Sequence, residues 1–502
     1  MRKIVKAGEK LRTLASRFKI QSINIPARSS LFFTLTNLLC KGAAFLFTPL
    51  FTRLLSPAEY GEYSLFSTLL SLGSVAVTME MSGGIIMRLF QKERERRFLS
   101  LLSAWLISVT IAVPTVALLF LIYKLGGFGM NFPLAYVFLF ISLICVSMIN
   151  LYVSRSKFLY KWVPPLITSL TQSVGAPLIS IALIRISVFS SVNHVSLKIG
   201  AVTTVLTITA AALLLITLKE AKSELAAQSM SLGEARAFVF ASSRFLLKLA
   251  LPLLPYYLSI TLISQADKIF ISSALGKSEL AKYSVAYSSG VALCALTSGV
   301  MSALSPWIMR RARANEYAEI RQTLDRIVSA SVPAIIIFLC FAPEIFTFLA
   351  PKEYQSALPV LFISALIPIP LALAQCSSSI AIAREKVGGV LLSGIIPALF
   401  ALSLNVLTIN RAPLYAPAII TALGFFILSA IGIANVHKIT GNYTLNTNKV
   451  LQNLAFLVLS ATAIYSFRNF LSIRIIISVI ALLTLVSMAK PILSLLMERD
   501  KA

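Results

Sequence analysis

The chain has 502 residues, of which 57% are hydrophobic and only 13% charged, with a mean hydropathy of +0.86 and a formal net charge of +26. A soluble domain carries about twice that share of charge. The composition therefore excludes a soluble enzyme and fits an all-α, polytopic membrane protein built from apolar runs of roughly 18–25 residues. The basic surplus sits in short segments between those runs. It lacks the aromatic-plus-basic pattern of a nucleic-acid surface and is placed to set orientation and meet anionic lipid head groups.

In chain order, a basic segment, 1–29, comes first. Within "KIVKAGEKLRTLASRF", Ile4, Ala7, Leu11, Leu14 and Phe18 share one helical face and the cations take the other. That pattern fits a helix lying on the membrane surface, and a disordered basic tail fits it as well. Spans are predicted at 30–52, 62–86, 99–123, 132–152, 163–184, 197–218, 247–275, 281–305, 327–350, 356–382, 387–408, 413–435, 449–467 and 471–489, fourteen in all. The first follows a long basic segment and shows no small-residue cleavage site, so it is expected to be retained rather than removed as a signal peptide. With the N-terminus inside, 32 of the 45 Lys and Arg fall in inner segments and nine in outer ones; Lys41, Lys198, Lys248 and Lys268 lie inside spans. The positive-inside rule then places both termini in the cytoplasm.

A repeat is visible at an offset of 220. "LSPAEYGEYSLFSTLL" (55–70) and "LGKSELAKYSVAYSSG" (275–290) align Leu55 with Leu275, Glu59 with Glu279, Tyr63 with Tyr283 and Ser64 with Ser284. Six spans separate the copies, so they share orientation. The expected architecture is two six-helix bundles related by a parallel repeat, 30–218 and 247–435. A cytoplasmic linker, 219–246, joins them, and a C-terminal helix pair with a cytoplasmic tail, 436–502, is appended.

Polar residues recur at helical spacing on the repeat-related spans. Thr34, Asn37, Lys41 and Thr48 share a face of the first span. Tyr257, Thr261, Ser264, Lys268 and Ser272 share one of the seventh. Ser67, Ser71, Ser74, Thr78 and Ser82 mark the second span, and Ser284, Ser288, Ala295, Ser298 and Ser302 the eighth. Small-residue helix packing accounts for serine stripes alone. A lysine on the same line points to a water-accessible lumen, because a cation at bilayer depth needs protein or water around it.

Lys41 and Lys268 are thus candidate anion ligands, with Asn37, Ser264 and Tyr257 beside them. Asp267 adjoins Lys268 but points about 100° away, either to a neighbouring helix or as a protonatable coupling site. Glu80 is a second coupling candidate, with a mutual ion pair to Arg88 as the plainer reading. Arg88 and Arg53 are further candidate substrate cations, Arg53 alternatively an interfacial anchor. Lys198 and Lys248 sit at span ends and are expected to snorkel. The five cysteines lie in or beside apolar runs and suggest packing rather than disulfides. Two distant histidines make no metal site. "GKS" at 276–278 lacks the upstream glycine of a phosphate loop, since that position is Ile271. No cofactor is expected beyond possible coupling to H+ or Na+.

"KGAAFLFTPLFTRLLSPAEYGEYSLF" (41–66) resembles the first-helix signature of the Wzx-type oligosaccharide flippases. These form the polysaccharide transporter family of the multidrug/oligosaccharidyl-lipid/polysaccharide exporter superfamily. "QADKIFISSALGKSELAKYSVAY" (265–287) is similar to that family's seventh-helix pattern, including its acidic residue, here Asp267. The resemblance runs over about residues 30–440. It implies two bundles around a cationic lumen, alternating access, and an undecaprenyl-diphosphate-linked glycan as substrate, for surface polysaccharides such as O-antigen or capsule. A bacterial inner (cytoplasmic) membrane location is implied too, with a polysaccharide polymerase and a chain-length regulator as partners. Many Wzx-type proteins are drawn with twelve spans; fourteen also occur in the lipid II flippases of the superfamily. A cation-coupled multidrug exporter is the nearest alternative, but its lumen would carry acidic groups rather than lysines. A membrane-bound polymerase or glycosyltransferase would need paired carboxylates and usually a large outer loop, and the outer loops here are short.

Overall fold

The computed structural model describes residues 36, 40, 42, 43 and 45–498, apart from 82–84, 94, 127–129, 131–133, 160, 187–192, 385, 387 and 442–446. The basic segment 1–29 lies outside these residues. Among the described residues every regular element is a helix. The first half holds α1 (Phe45–Leu54), α2 (Pro57–Thr78), α3 (Ile85–Lys92), α4 (Arg97–Gly126), α5 (Leu134–Phe158), α6 (Val163–Ile186) and α7 (His194–Ala227). A connecting helix, α8 (Leu232–Ala250), leads to the second half. There follow α9 (Leu254–Ala274), α10 (Lys277–Val291), α11 (Cys294–Arg313), α12 (Tyr317–Cys340), α13 (Ala342–Leu349), α14 (Leu358–Ser364), α15 (Pro368–Ala383), α16 (Gly388–Thr408) and α17 (Ala416–Thr440). A final pair, α18 (Thr447–Ser466) and α19 (Leu471–Glu498), closes the chain.

Local chemistry fixes several helix starts. Ser56 caps α2: its hydroxyl accepts the Glu59 N–H, while the Glu59 carboxylate accepts the Ser56 N–H at 2.8 Å, with Pro57 at the first helical position. Ser231 and Glu234 repeat the device at α8. The start of α4 is capped from a distance, the Glu224 carboxylate accepting the Phe98 and Leu99 N–H groups at 3.1 and 3.2 Å. Glu224 stands on the far extension of α7, so the cap also ties two helices together.

Ten helical stretches among the described residues are long and apolar enough to cross a membrane, or twelve if each of two bent pairs is one span. By that measure the predicted fourteen are not reached. α1 is short as far as it is described, and α2, which carries Glu62 and the serine stripe, is not apolar enough. Five predicted spans also prove discontinuous, among them 327–350, which breaks at Phe341 between α12 and α13. The 62–86 stretch breaks after Thr78, where Met79 and Glu80 both adopt left-handed φ values of 45° and 49°. α8 and α9 meet at 58°, and α10 and α11 at 44°. The 356–382 stretch is interrupted between α14 and α15. In each case the apolar run continues through the bend, so hydropathy does not register it.

α2 joins the halves. It packs on α4 and α5 of the first and on α9 and α10 of the second. The core is continuous across this contact, from Leu65, Phe66 and Leu139 to Tyr283, Ile336 and Phe346. Lys92, Arg96, Arg155 and Arg384 lie toward one end of the bundle, the basic end. Arg53, His194 and Lys277, with their acidic neighbours Glu59, Glu62 and Glu279, lie toward the other. At the basic end α8 is fastened to the first half, with Lys92 Nζ 5.3 Å from the Phe245 ring centre and the Arg96 guanidinium 5.2 Å from that of Phe238.

The C-terminal pair packs on α12. Arg474 of α19, 4% exposed, donates to Glu344 at 2.5 and 2.7 Å and to the Cys340 carbonyl at 2.5 Å. Arg474→Ala is expected to lower stability by about 2 kcal/mol, because it strips partners from Glu344 and a buried carbonyl. A fall in the thermal midpoint of the detergent-solubilised protein is the check, and an unchanged midpoint contradicts it.

Candidate functional site

One face of α9 presents Tyr257, Thr261, Ser264, Lys268 and Ser272, all half-buried. The Thr261 and Ser264 hydroxyls bond back to their own helix at 3.0 Å. α2, packed alongside, presents Ser67, Ser71 and Ser74 as exposed or half-buried groups, and the Ser71 and Ser74 hydroxyls bond back to the helix in the same way. The α9 stripe and Ser67, Ser71 and Ser74 of the α2 stripe therefore stand on accessible surface, while Thr78, predicted on the same line, is buried. Lys268 Nζ donates to Gln265 Oε1 at 2.8 Å and lies 5.1 Å from the Tyr287 ring centre. Among the described residues no carboxylate is in ion-pairing contact with it. The adjacent Asp267 carboxylate acts on the ammonium electrostatically but outside ion-pairing contact, so with a neutral amide and a ring face as its direct neighbours the ammonium keeps donor capacity for an anion.

Asp267 points elsewhere, as the 100° helical step predicts. It is 1% exposed. Its Oδ2 accepts from Tyr283 Oη and from Thr421 Oγ1 at 3.3 Å, and its Oδ1 accepts the Lys268 N–H at 2.8 Å. Asp267 thus sits inside the second half, between α9, α10 and α17. Glu80 is half-buried at the left-handed end of α2 and interacts electrostatically with Tyr257. Two successive non-glycine residues in that conformation cost about 1–3 kcal/mol each. Arg88 is exposed on α3, and the Glu80–Arg88 ion pair is not formed. Lys41 and Asn37, with Ser82, lie outside the described residues. A separate niche within the second half, lined by Tyr256, Ser377, Ser378, Ser393 and Asn435, is polar but uncharged. Among the described residues no group of three His, Cys, Asp or Glu is placed to hold a metal ion.

At the end opposite the basic one the halves touch through residues that sequence reasoning read differently or passed over. Arg53 is exposed and donates to the Pro49 carbonyl at 2.9 Å and the Phe348 carbonyl at 3.1 Å. Thr52 donates to the Leu349 carbonyl at 2.7 Å. α1 thereby caps the last carbonyls of α13 in the opposite half. Gly61 lies directly against the Lys277 carbonyl. Glu62 and the Lys277 ammonium stand 3.0 Å apart, an ion pair outside hydrogen-bonding geometry.

Lys198 does not snorkel. It is 3% exposed, with its ammonium 3.7 Å from the ring centre of Phe51, 3.6 Å from that of Tyr63 and 4.9 Å from that of Tyr60. Each such contact is worth about 0.5–2 kcal/mol, so an aromatic cage holds the lysine in. Lys248 is exposed at the end of α8. Tyr63 and Tyr283, aligned by the repeat, each hold a buried charge, a cation in one half and an anion in the other. The two tyrosines were legible as repeat partners; which charge each would meet was not.

A family model described as "Polysaccharide biosynthesis protein" matches residues 27–311, more than half of the chain. No curated protein matches it. Among solved structures, the lipid II flippase MurJ in an inward closed conformation has a TM-score of 0.65 at 14% identity, covering 92% of this chain and 99% of its own. A mutant of the MATE transporter VcmN from Vibrio cholerae has a TM-score of 0.55 at 16% identity, covering 82% and 96%. An inward-facing multidrug resistance MATE family transporter of the MOP superfamily has a TM-score of 0.57 at 13% identity, covering 83% and 98%. At these identities the likeness is one of fold.

Proposed function

The chain belongs to the polysaccharide biosynthesis protein family, and from that premise we propose that it is a flippase carrying an undecaprenyl-diphosphate-linked oligosaccharide across the bacterial cytoplasmic membrane. The observation that carries the reading is Lys268: a cation without an ion-pairing carboxylate among the described residues, on a hydroxyl-lined, accessible face beside the contact between the halves. A diphosphate head group cannot cross hydrocarbon unaided. In this reading Lys268 and Lys41 hold the diphosphate, while Asn37, Tyr257, Ser264 and neighbouring hydroxyls meet the sugars. The prenyl tail stays in lipid.

The basic end faces the cytoplasm by the positive-inside rule, which makes the contacts of Arg53, Gly61 and Lys277 an outer closure. Rocking of one half on the other about α2 opens and closes the ends in turn. Each negative charge moved outward gains about 2.3 kcal/mol per 100 mV of inside-negative potential. Asp267, buried and hydrogen-bonded, or Glu80 at the break in α2, is the site where H+ or Na+ adds to that drive. A polymerase and a chain-length regulator would receive the product, for lipopolysaccharide, capsule or exopolysaccharide.

Deleting the gene is expected to accumulate undecaprenyl-linked oligosaccharide on the cytoplasmic side and to deplete surface polysaccharide. Unchanged surface polysaccharide, with no accumulation, overturns the proposal. A cation-coupled multidrug exporter is the second reading, favoured by the buried carboxylate of Asp267; it predicts drug hypersensitivity of the same deletion strain instead.

A further inference from the structure

We propose that Lys277 is a further anion-binding residue, occupied in the closed molecule by the Glu62 carboxylate of the opposite half and taken over by a phosphate or diphosphate group when the halves part at the outer closure. The identity of the ligand rests on the flippase reading; the covering of Lys277 by Glu62 does not. Lys277 opens α10 in the second half, and Glu62 stands near the start of α2 in the first. Their charged atoms are 3.0 Å apart, and the side chains are 16% and 10% exposed. The ammonium is buried and makes no hydrogen bond. Charge alone holds it, and its three donors are unspent.

The pair crosses between the halves, so parting them separates it. Two other charge pairs at the same end do not share that fate. His194 and Glu59 lie together in the first half, Lys282 and Glu279 in the second, and each pair moves as one body. Lys277 therefore emerges from opening without its partner. Glu279 does not replace it: two positions along a helix point about 200° apart, and the Glu279 carboxylate already accepts from Lys282 at 2.6 Å. Among the described residues no other carboxylate is in ion-pairing contact with Lys277. A phosphate oxyanion offers a primary ammonium what a carboxylate offers, an ionised acceptor. Glu62 is in this sense a tethered imitation of the ligand. α9 runs from Tyr257 past Lys268 toward Lys277, so a head group released by Lys268 meets Lys277 on its way out. Breaking a largely desolvated ion pair is costly, and an arriving oxyanion offsets that cost, which ties opening to the presence of the head group. Reclosure waits until the head group has left, because Glu62 and the oxyanion compete for one ammonium.

The test uses the full chain with its five native cysteines replaced and with Arg53→Cys and Phe348→Cys, on opposite halves, joined or not by a short thiol-specific cross-linker. Acylation of Lys277 by an amine reagent is followed by mass spectrometry. Lys277 is expected to react several-fold more slowly in the joined protein, and equal rates overturn its uncovering. This contrast involves no substrate, so it fails independently of the deletion experiment. In the unjoined protein, undecaprenyl diphosphate is expected to protect Lys277, and inorganic pyrophosphate to do so only at higher concentration. Equal protection by both assigns the site to the free anion and overturns the lipid-linked ligand, while protection by neither overturns the anion altogether. Glu62→Gln removes the competitor and is expected to lower the half-protecting concentration several-fold; an unchanged value overturns the competition. Exchanging the charges, Glu62→Lys with Lys277→Glu, keeps an attractive pair across the closure but takes the cation from the second half. Export is expected to fall about tenfold. Export at the wild-type rate reduces the pair to a latch and overturns the anion site.

Discussion

Replacing Gly61 with leucine is expected to abolish export while leaving the protein in the membrane. A Cβ at this position would lie 1.8 Å from the Lys277 carbonyl oxygen and 2.6 Å from its carbon. Both are backbone atoms of the first turn of α10, which cannot swing aside as a side chain can. The helices must separate, and with them the Glu62–Lys277 ion pair and the Arg53 and Thr52 contacts to α13. Overpacking of this kind costs about 1–3 kcal/mol, roughly a 5- to 150-fold loss of the closed population in a two-state equilibrium. α2 itself tolerates leucine, so folding of the first half is not the target. Two measurements check the prediction: export in cells at matched protein level, and the yield of cross-linking between cysteines at 62 and 277. Gly61→Ala is expected to move both in the same direction by less. Normal export with leucine at 61 would remove this contact from the transport cycle.

The second large effect is expected at Lys268. Methionine there keeps the length and the contact with Tyr287 but removes the charge. A hydrogen bond to a charged group is worth about 1.5–3 kcal/mol, so export should fall by one to two orders of magnitude with the protein still reaching the membrane. Lys268→Arg is expected to retain much of the activity, since the cation persists. Lys41→Ala should act similarly, and the double variant should cost less than the product of the two if both ammonium groups hold the same diphosphate. Wild-type export by Lys268→Met would sink the anionic-lumen reading.

The serine and lysine faces of α2 and α9 were legible in the sequence because helical spacing fixes which residues share a side whatever the neighbours are. The divergence of Asp267 from Lys268 was legible on the same ground. The repeat was the ground for expecting two halves, and the first and seventh spans were the ground for the family. What spacing could not supply was anything set by a partner helix. The Lys198 cage needs three rings from α1 and α2 around a residue of α7, and long-range packing leaves no local signal. The plainer reading of Lys198 as a snorkelling residue followed from its place near a span end, and the rings around it overruled that. The Glu80–Arg88 pair failed for a related reason: a continuous helix would bring them together two turns apart, but the left-handed pair at Met79 and Glu80 redirects the chain between them.

The fastening of α8 has a mechanical corollary. Its rings rest on Lys92 and Arg96 of the first half, while its continuation past the 58° bend, α9, is built into the second. The backbone joining the two bodies is thereby reduced to Leu251, Pro252 and Leu253. Any swivel must twist this short tether, and one of its three residues has its φ locked by a ring. Lengthening it with glycines should slacken the torque it transmits, so a pair of dyes on α8 and α17 would read out the swing of one body against the other.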